Sequence, residues 1–411
     1  MMNVKLTSLI RVIVVVLVIM DYSFFSLIEI PGILYRFWSP YSKFLPGMIS
    51  FLLCMIVLTK NLTYSSSFFL NNYLCSLVVS ILILSVYTLF THGSESIMTQ
   101  LLENSMFFYA ALAIPLHYTF QKDKTMDRML NLINKLMLFM YLLLLIQHII
   151  YAAGGELFLK VNESVRNSNI RLSLGSLGNF FILYNFDKVY NREEGDNIIF
   201  NIIQLILGLY MLVAVQQTRG FTFAVVLSLA VMILVSSEKQ MQSIQNMVLL
   251  GVVTFILIQS GAIEQFFSSL KVNLDTGDTT LVRLNAIEYY LGEFLKNPLF
   301  GHGIITEANP ISRGPLGIYH YTDVGVFAGL ARYGLFMIPI YLWPIWRLGK
   351  LAIHMLRKRR LRKRNALIFG LLVYLLGTSI SLSILDVFRI FLLPFVLAII
   401  AYTEREVCYE T

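Results

Sequence analysis

Arg219, Arg283, His302, His320 and Asp323, all in the second half of the chain, have residue types suited to gripping an anion and moving a proton. Arg219 lies in VQQTRGFTF, beside Gly220 and between two apolar runs. An arginine there is costly unless it faces water, a partner or an anionic ligand. The N-terminus of the helix that follows also favours negative charge. Arg283 lies in TTLVRLNAIEYYLGEFLKNPLFGHG, where Leu281, Leu284, Ile287, Leu291, Phe294 and Leu295 recur at helical spacing. This pattern predicts an amphipathic helix ending near Lys296–Asn297, with Pro298 beyond it. Gly301 and Gly303 flank His302, giving a backbone that can bend sharply or approach a ligand. His320 and Asp323 are three apart and would share a face on a helix. A carboxylate there can fix the imidazole tautomer and raise its basicity. Arginine matches phosphate oxygens with a planar fork of donors, and histidine transfers protons near neutral pH. Together these residues suit chemistry on a phosphate-bearing molecule.

A metal reading of His302, His320 and Asp323 has little support, because their spacing matches no strong metal motif and no cysteine joins them. Asp275 and Asp278, in DTGD, lack the Asp-x-Asp spacing of metal-dependent sugar transferases and predict a turn. No metal or cofactor is expected. Cys54 and Cys75 lie in apolar runs and Cys408 in the tail, which gives no disulfide framework.

The elements that must position these residues are apolar. The chain has 411 residues, 57% hydrophobic and only 14% charged, with a mean hydropathy of +0.71. Repeated continuous apolar runs predict an all-α polytopic membrane protein rather than a β-barrel. About twelve spans are expected, near 9–28, 46–60, 73–91, 105–121, 132–152, 172–187, 197–216, 221–237, 244–261, 333–348, 367–383 and 387–403. The first follows Lys5 and Arg11 with no small-residue cleavage site after it, so it reads as a retained helix. The division is into N-terminal spans over 1–261, a large loop over 262–332, and C-terminal spans with a tail over 333–411.

The net charge of +8 reports topology rather than nucleic-acid binding. With the N-terminus inside, Lys122, Lys124, Arg128, Lys188, Arg192 and RLGKLAIHMLRKRRLRKR fall in cytoplasmic loops. Both termini are then cytoplasmic. The run Arg357–Arg364 reads as a topology anchor beside the last helix pair. Lys160, Arg166, Arg171, Arg219, Lys271, Arg283, Lys296, Arg313 and Arg332 fall outside, against that bias. The outer face thus holds several arginines, a candidate base and a soft loop containing Asn309-Pro310 and Gly314-Pro315 turns.

The order of these features resembles the O-antigen polymerase and ligase superfamily, which contains Wzy-type polysaccharide polymerases and WaaL-type ligases. The resemblance rests on an Arg-Gly between two spans (Arg219) and an outside helix bearing Arg283. That helix runs into Asn-Pro-Leu-Phe-Gly-x-Gly at 297–303, and then come His320 and a Gly-rich span over 325–334. It covers roughly residues 165–350. The family pattern often has Asn after the histidine, where this chain has Tyr321.

The resemblance implies metal-independent, inverting glycosyl transfer between lipid-linked sugars at the outer face of a bacterial cytoplasmic membrane. Arg219 and Arg283 would hold the donor's undecaprenyl diphosphate, and His320 would deprotonate the acceptor hydroxyl. Arg166 and Arg171 would contact phosphate or sugar. His302, Asp323 and Arg313 complete the expected substrate-binding set. The partners would be an undecaprenyl-diphosphate-linked oligosaccharide, membrane lipid and a separate chain-length regulator. Three alternatives stay open. A ligase would move finished polymer onto another acceptor. A flippase would carry lipid-linked sugar across the membrane, although transporters usually place polar groups at mid-membrane and carry repeats. The last is a structural or partner-binding membrane protein.

Overall fold

The computed structural model describes residues 2–22, 44–60, 67–92, 96–156, 163–166, 169–191, 197–236, 251, 279–306, 309–358, 366–380, 384–386 and 389–409. The expected span 244–261 apart from residue 251, the Asp275–Asp278 turn, Lys160, Arg192, Lys271 and most of the Arg357–Arg364 run lie outside the described residues. The chain is mostly α-helical. The first half contains α1 (Met2–Asp21), α2 (Phe44–Lys60), α3 (Phe68–Thr91) and α4 (Ile97–Asn104). A 3-10 stretch, Ser105–Leu112, joins α4 to α5 (Ala113–Asp123), and α6 (Asp127–Ala152) follows. A β-hairpin, β1 (Glu163–Arg166) and β2 (Asn169–Leu172), pairs antiparallel with Ser164 opposite Arg171. Next come α7 (Gly175–Tyr190), α8 (Ile198–Tyr210) ending in a π-turn Met211–Gln216, and α9 (Arg219–Ser236).

The second half holds α10 (Thr279–Lys296), the single turn α11 (Pro310–Arg313), α12 (Gly325–Tyr333), α13 (Trp343–Arg357), α14 (Ala366–Ser379) and α15 (Leu393–Tyr409). Among the described residues, three helices are long and apolar enough to cross a membrane: Phe68–Thr91, Asp127–Ala152 and Ile198–Gln216. A fourth joins them if the bent pair Gly325–Phe336 and Ile338–Arg357 is one span. This falls short of the dozen expected because hydropathy counts apolar length whatever the backbone does. Here the apolar runs break at Ser105–Leu112 and Ile338–Leu342, and other apolar helices are short, such as Phe44–Lys60 and Ala366–Ser379.

The bend in the C-terminal half has a local cause. The two arms Gly325–Phe336 and Ile338–Arg357 differ in direction by 115°, with Gly334 at φ +56° near the end of the first and Pro339 at the start of the second. Pro344 has no N–H to give the Ile340 carbonyl four residues earlier. The Tyr73 hydroxyl of α3 supplies that donor at 2.8 Å.

Polar side chains tie the bundle at both ends and in the middle. Asn134 of α6 and Asn185 of α7 exchange two hydrogen bonds, at 2.7 and 2.9 Å, in a fully buried setting. Such amide pairs join helices where backbone groups have no water to turn to. One end is ionic: Arg11 donates to both Asp123 oxygens at 2.7 and 2.5 Å, Lys188 pairs with Asp127 at 2.8 Å, and Arg347 pairs with Glu404 at 2.5 Å. The opposite end is built from loops. The Phe300 ring stacks on Tyr87 near the C-terminal end of α3 at 4.6 Å, and Ile304 N–H donates to the Thr88 hydroxyl at 2.7 Å. Gly325 lies so close to the Ser379 carbonyl at the end of α14 that a Cβ would collide with backbone.

The loop segment carries a small core of its own, formed by Ala286, Tyr290, Tyr319, Tyr321, Val324, Ala328 and Ala331. It corrects one expectation. Two members of the predicted apolar stripe of α10 face out, Leu284 at 50% and Leu295 at 73% exposed, while Ile287 of the same stripe packs against this core. The helix docks on the neighbouring Ala286 and Tyr290 stripe, where the Tyr290 hydroxyl can donate to the Ser312 carbonyl at 2.6 Å.

Candidate functional site

The loop-built end gathers two groups of candidate residues around the C-terminal end of α14. The first centres on the turn that launches α9. Gln217 turns the chain with φ +48°, and Arg219 is the first residue of the helix that follows. The side chain of Arg219 lies outside the described residues, as does that of Arg166. Arg171 on β2 braces the turn. Its guanidinium donates to the Thr218 hydroxyl at 3.1 Å and, more weakly, to the Gln216 carbonyl at 3.4 Å. A small cavity between the hairpin exit and this turn is lined by Gly175, Phe221, Tyr374, Thr378 and Arg389, among others. Arg389 stacks over the Phe221 ring at 5.4 Å and pairs with Asp386. Sequence reasoning passed over Arg389. The signal was present, since a lone arginine in the apolar run FRIFLLPF is a charge that burial tolerates only with a partner.

The second group lies along α10 and the loop after it. As expected, α10 runs from Thr279 to Lys296 with Pro298 just beyond it, and Arg283 is exposed in its first turns. Asn297 fixes the turn that follows, donating from its side chain to the Gly301 carbonyl at 3.0 Å. Gly301 adopts φ +59° and approaches the Ala331 carbonyl too closely for a Cβ, so a glycine is required. His302 N–H then donates to that same carbonyl at 2.7 Å.

His302 is turned inward. It is 7% exposed. Its Nε2 lies 3.2 Å from Glu293 Oε2 and its Nδ1 lies 3.1 Å from the Tyr321 hydroxyl. Burial would raise the Glu293 carboxyl, but hydrogen bonds from Lys296 and His302 outweigh it and bring the group below its ordinary value. Burial holds the His302 imidazole below the ordinary histidine value, with Glu293 opposing in part. A neutral ring beside an ionised carboxylate must carry its proton on Nε2, so Nδ1 accepts from the Tyr321 O–H. Tyr321 thus completes a Glu293–His302–Tyr321 chain. The hydroxyl of Tyr321 stays protonated, since burial raises it well above the ordinary tyrosine value despite Arg332 nearby. Arg332 lies over the Tyr321 ring at 5.5 Å and pairs with Glu103 at 3.0 Å.

His320 and Asp323 do not share a helical face. His320 is extended (φ −130°, ψ 133°) and precedes the 3-10 turn Tyr321–Asp323. Its carbonyl accepts from Asp323 N–H at 3.2 Å. The imidazole of His320 is exposed and Asp323 is half-buried. Arg313 is exposed at the end of α11, and its carbonyl accepts from Tyr319 N–H at 3.0 Å. Among the described residues, no three His, Cys, Asp or Glu side chains converge to hold a metal ion. His302, with both ring nitrogens engaged, does not group with His320 and Asp323.

The two groups share one end of the bundle. Gly377 of α14 packs against Ala224, little more than a turn into α9, while Gly325 abuts the last residues of α14. The Arg219 turn and the His320 turn therefore flank the same helix end. Fold and site define a mostly helical bundle with an arginine-bearing, loop-built end opposite an ion-paired one. No family model matches the chain, and no curated protein or solved structure matches it.

Proposed function

We propose that the chain is a membrane glycosyltransferase of the Wzy polymerase type, working at the loop-built end of the bundle on the outer face of a bacterial cytoplasmic membrane. The observation that carries this reading is the placement of the Arg171-braced turn before Arg219 and the exposed His320 on either side of the α14 terminus. The basic residues Lys188 and Arg347 lie at the opposite, ion-paired end, as the bias of basic loops toward the cytoplasm requires. The short and broken helices fit a polytopic chain with irregular passes where protein neighbours satisfy the backbone.

In this reading Arg219 and Arg283 hold the donor's undecaprenyl diphosphate. His320 takes the proton from a hydroxyl of the incoming lipid-linked repeat unit. That oxygen bonds to the anomeric carbon from the face opposite the diphosphate, inverting the centre. The breaking C–O bond leaves its electron pair on the diphosphate, where fixed arginine charge stabilises it. The transfer needs no redox partner.

The test is a multiple-turnover time course on purified protein with one lipid-linked repeat unit as sole substrate. Wild-type protein should give a ladder of chain lengths, and Arg219→Ala, Arg283→Ala and His320→Ala should each abolish it at equal protein level. Absence of a ladder from wild-type protein removes the polymerase reading and favours ligation. Accumulation of repeat units on the cytoplasmic side in cells carrying the variants favours transport.

A further inference from the structure

An open groove runs along α10. Asn285, Glu288, Tyr289, Gly292, Glu293 and Lys296 line it from one face of the helix, at intervals of three and four residues, and Tyr319 closes the far wall. Three features make it unlike an ordinary solvated helix face. Gly292 leaves the middle of the groove bare, with open space where a side chain would stand. Tyr289 is held fixed: its hydroxyl donates to the Ile311 carbonyl at 2.9 Å and its ring packs against Tyr319 at 5.6 Å between centroids. Glu293 is held from behind by His302 at 3.2 Å and from the side by Lys296 at 2.5 Å. The groove therefore presents a braced tyrosine, a carboxylate held by two partners and exposed polar groups around an empty floor.

We infer that this groove is the binding site for a sugar of the acceptor glycan, which rests on the reading above for the identity of the occupant. Its chemistry selects that class over the alternatives. Two carboxylates accept hydrogen bonds from hydroxyls, an amide both gives and accepts, and an ammonium gives, which matches the mixed donors and acceptors of a pyranose. An aromatic side chain provides an apolar face for the sugar's C–H surface, with its polar tip already occupied. Glu288 and Glu293 against Lys296 leave the groove net acidic, which repels phosphate. The diphosphate thus belongs with the arginines and the sugar with this groove. Fixed walls reduce the ordering cost of binding. Glu293 contacts the sugar, whereas His302 and Tyr321 act behind it as positioning residues.

The decisive variant is Gly292→Leu. A Cβ there meets nothing within 4 Å and the helix backbone is undisturbed, so the fold should survive. Full-length protein in lipid nanodiscs is applied to an array of lipid-free bacterial oligosaccharides, and the tightest glycan is then titrated in solution. We expect wild-type protein to retain at least one glycan, with binding at least ~10-fold weaker in Gly292→Leu and in Asn285→Ala. Undiminished binding by Gly292→Leu overturns the proposal, as does a wild-type protein that retains no glycan. Should Gly292→Leu lower the melting temperature, the exposed Asn285→Ala decides alone. The two readings fail separately. Groove binding with no polymer ladder removes the polymerase and keeps the sugar site, whereas a ladder with a groove indifferent to both variants removes the sugar site and keeps the polymerase.

Discussion

Arg171 and Thr218 are joined by a hydrogen bond of 3.1 Å, guanidinium to hydroxyl, across 47 positions of chain. This contact fixes the hairpin to the turn from which Arg219 emerges. The hairpin arginine is thus a brace for the neighbouring cation, a role that its position in an outer loop did not disclose.

Arg171→Ala should therefore impair activity through Arg219. Loss of a charged donor to a half-buried hydroxyl is worth about 1.5–3 kcal/mol, and if that strain falls on the turn, product formation should drop at least ~10-fold. Thr218→Val should show a smaller loss in the same direction. The check is turnover at saturating and limiting substrate alongside hydrogen exchange of the 217–222 amides. Faster exchange only in the impaired variants supports the brace.

Arg283 and His320 are exposed, and their substitution should separate chemistry from folding. His320→Ala should change stability by less than about 0.5 kcal/mol while lowering turnover by roughly 10²–10⁴-fold, the range for a lost general base. Thermal unfolding and turnover on the same preparation test this. A stable His320→Ala protein with full activity would exclude His320 as the base.

Acidification should loosen the 297–305 loop. Burial lowers the folded-state value of His302 below 6.5, so between that lowered value and 6.5 the unfolded chain binds more protons than the folded one. Stability then falls as pH drops through this window. Glu293 is also lowered, its hydrogen bonds outweighing burial, and its contribution is lost at still lower pH as the carboxylate protonates. Exchange of the His302 and Ile304 amides, corrected for intrinsic rate, should rise from about pH 7.5 to about pH 5. In His302→Gln the part of that rise nearest neutral pH should disappear.

Glu103→Ala should be among the more damaging changes at this end. The Arg332 side chain is 12% exposed and rests between Tyr321 and Tyr333, so removing its carboxylate leaves a buried charge poorly compensated, at a cost of about 3–5 kcal/mol. Adding Arg332→Met in the same protein should recover part of the loss. Melting temperatures of the single and double variants measure the coupling.

Two glycines should respond in opposite ways to alanine. Gly325 has φ +51° and faces backbone at the end of α14, so Gly325→Ala should lower the yield of folded protein. Gly292 is helical with open space beside it, and Gly292→Ala should stabilise by about 0.5–1 kcal/mol. Paired thermal melts compare them directly.

Much of this was legible in the residues themselves. Apolar runs predict helices because a chain so poor in charge has little other way to satisfy its backbone. α10 and its stop at Lys296 followed from periodicity and Pro298, and the bent loop from Gly301 and Gly303. What periodicity could not decide was which face of α10 docks, because its leucine and tyrosine stripes are both apolar enough. Contact with α12 chose Ala286 and Tyr290.

Residue type and local spacing, then, determined by themselves that the chain is helical and apolar, that its cations divide between loops, and where its backbone must turn. These depend on interactions within a few residues. The tertiary structure alone decided that His302 points inward between Glu293 and Tyr321, that Arg171 supports the Arg219 turn, and that Arg389 rests on Phe221. Each of those pairings joins groups whose burial and hydrogen bonds exist only once distant segments pack together, and no pattern along the chain encodes a contact whose energy depends on the water that packing removes.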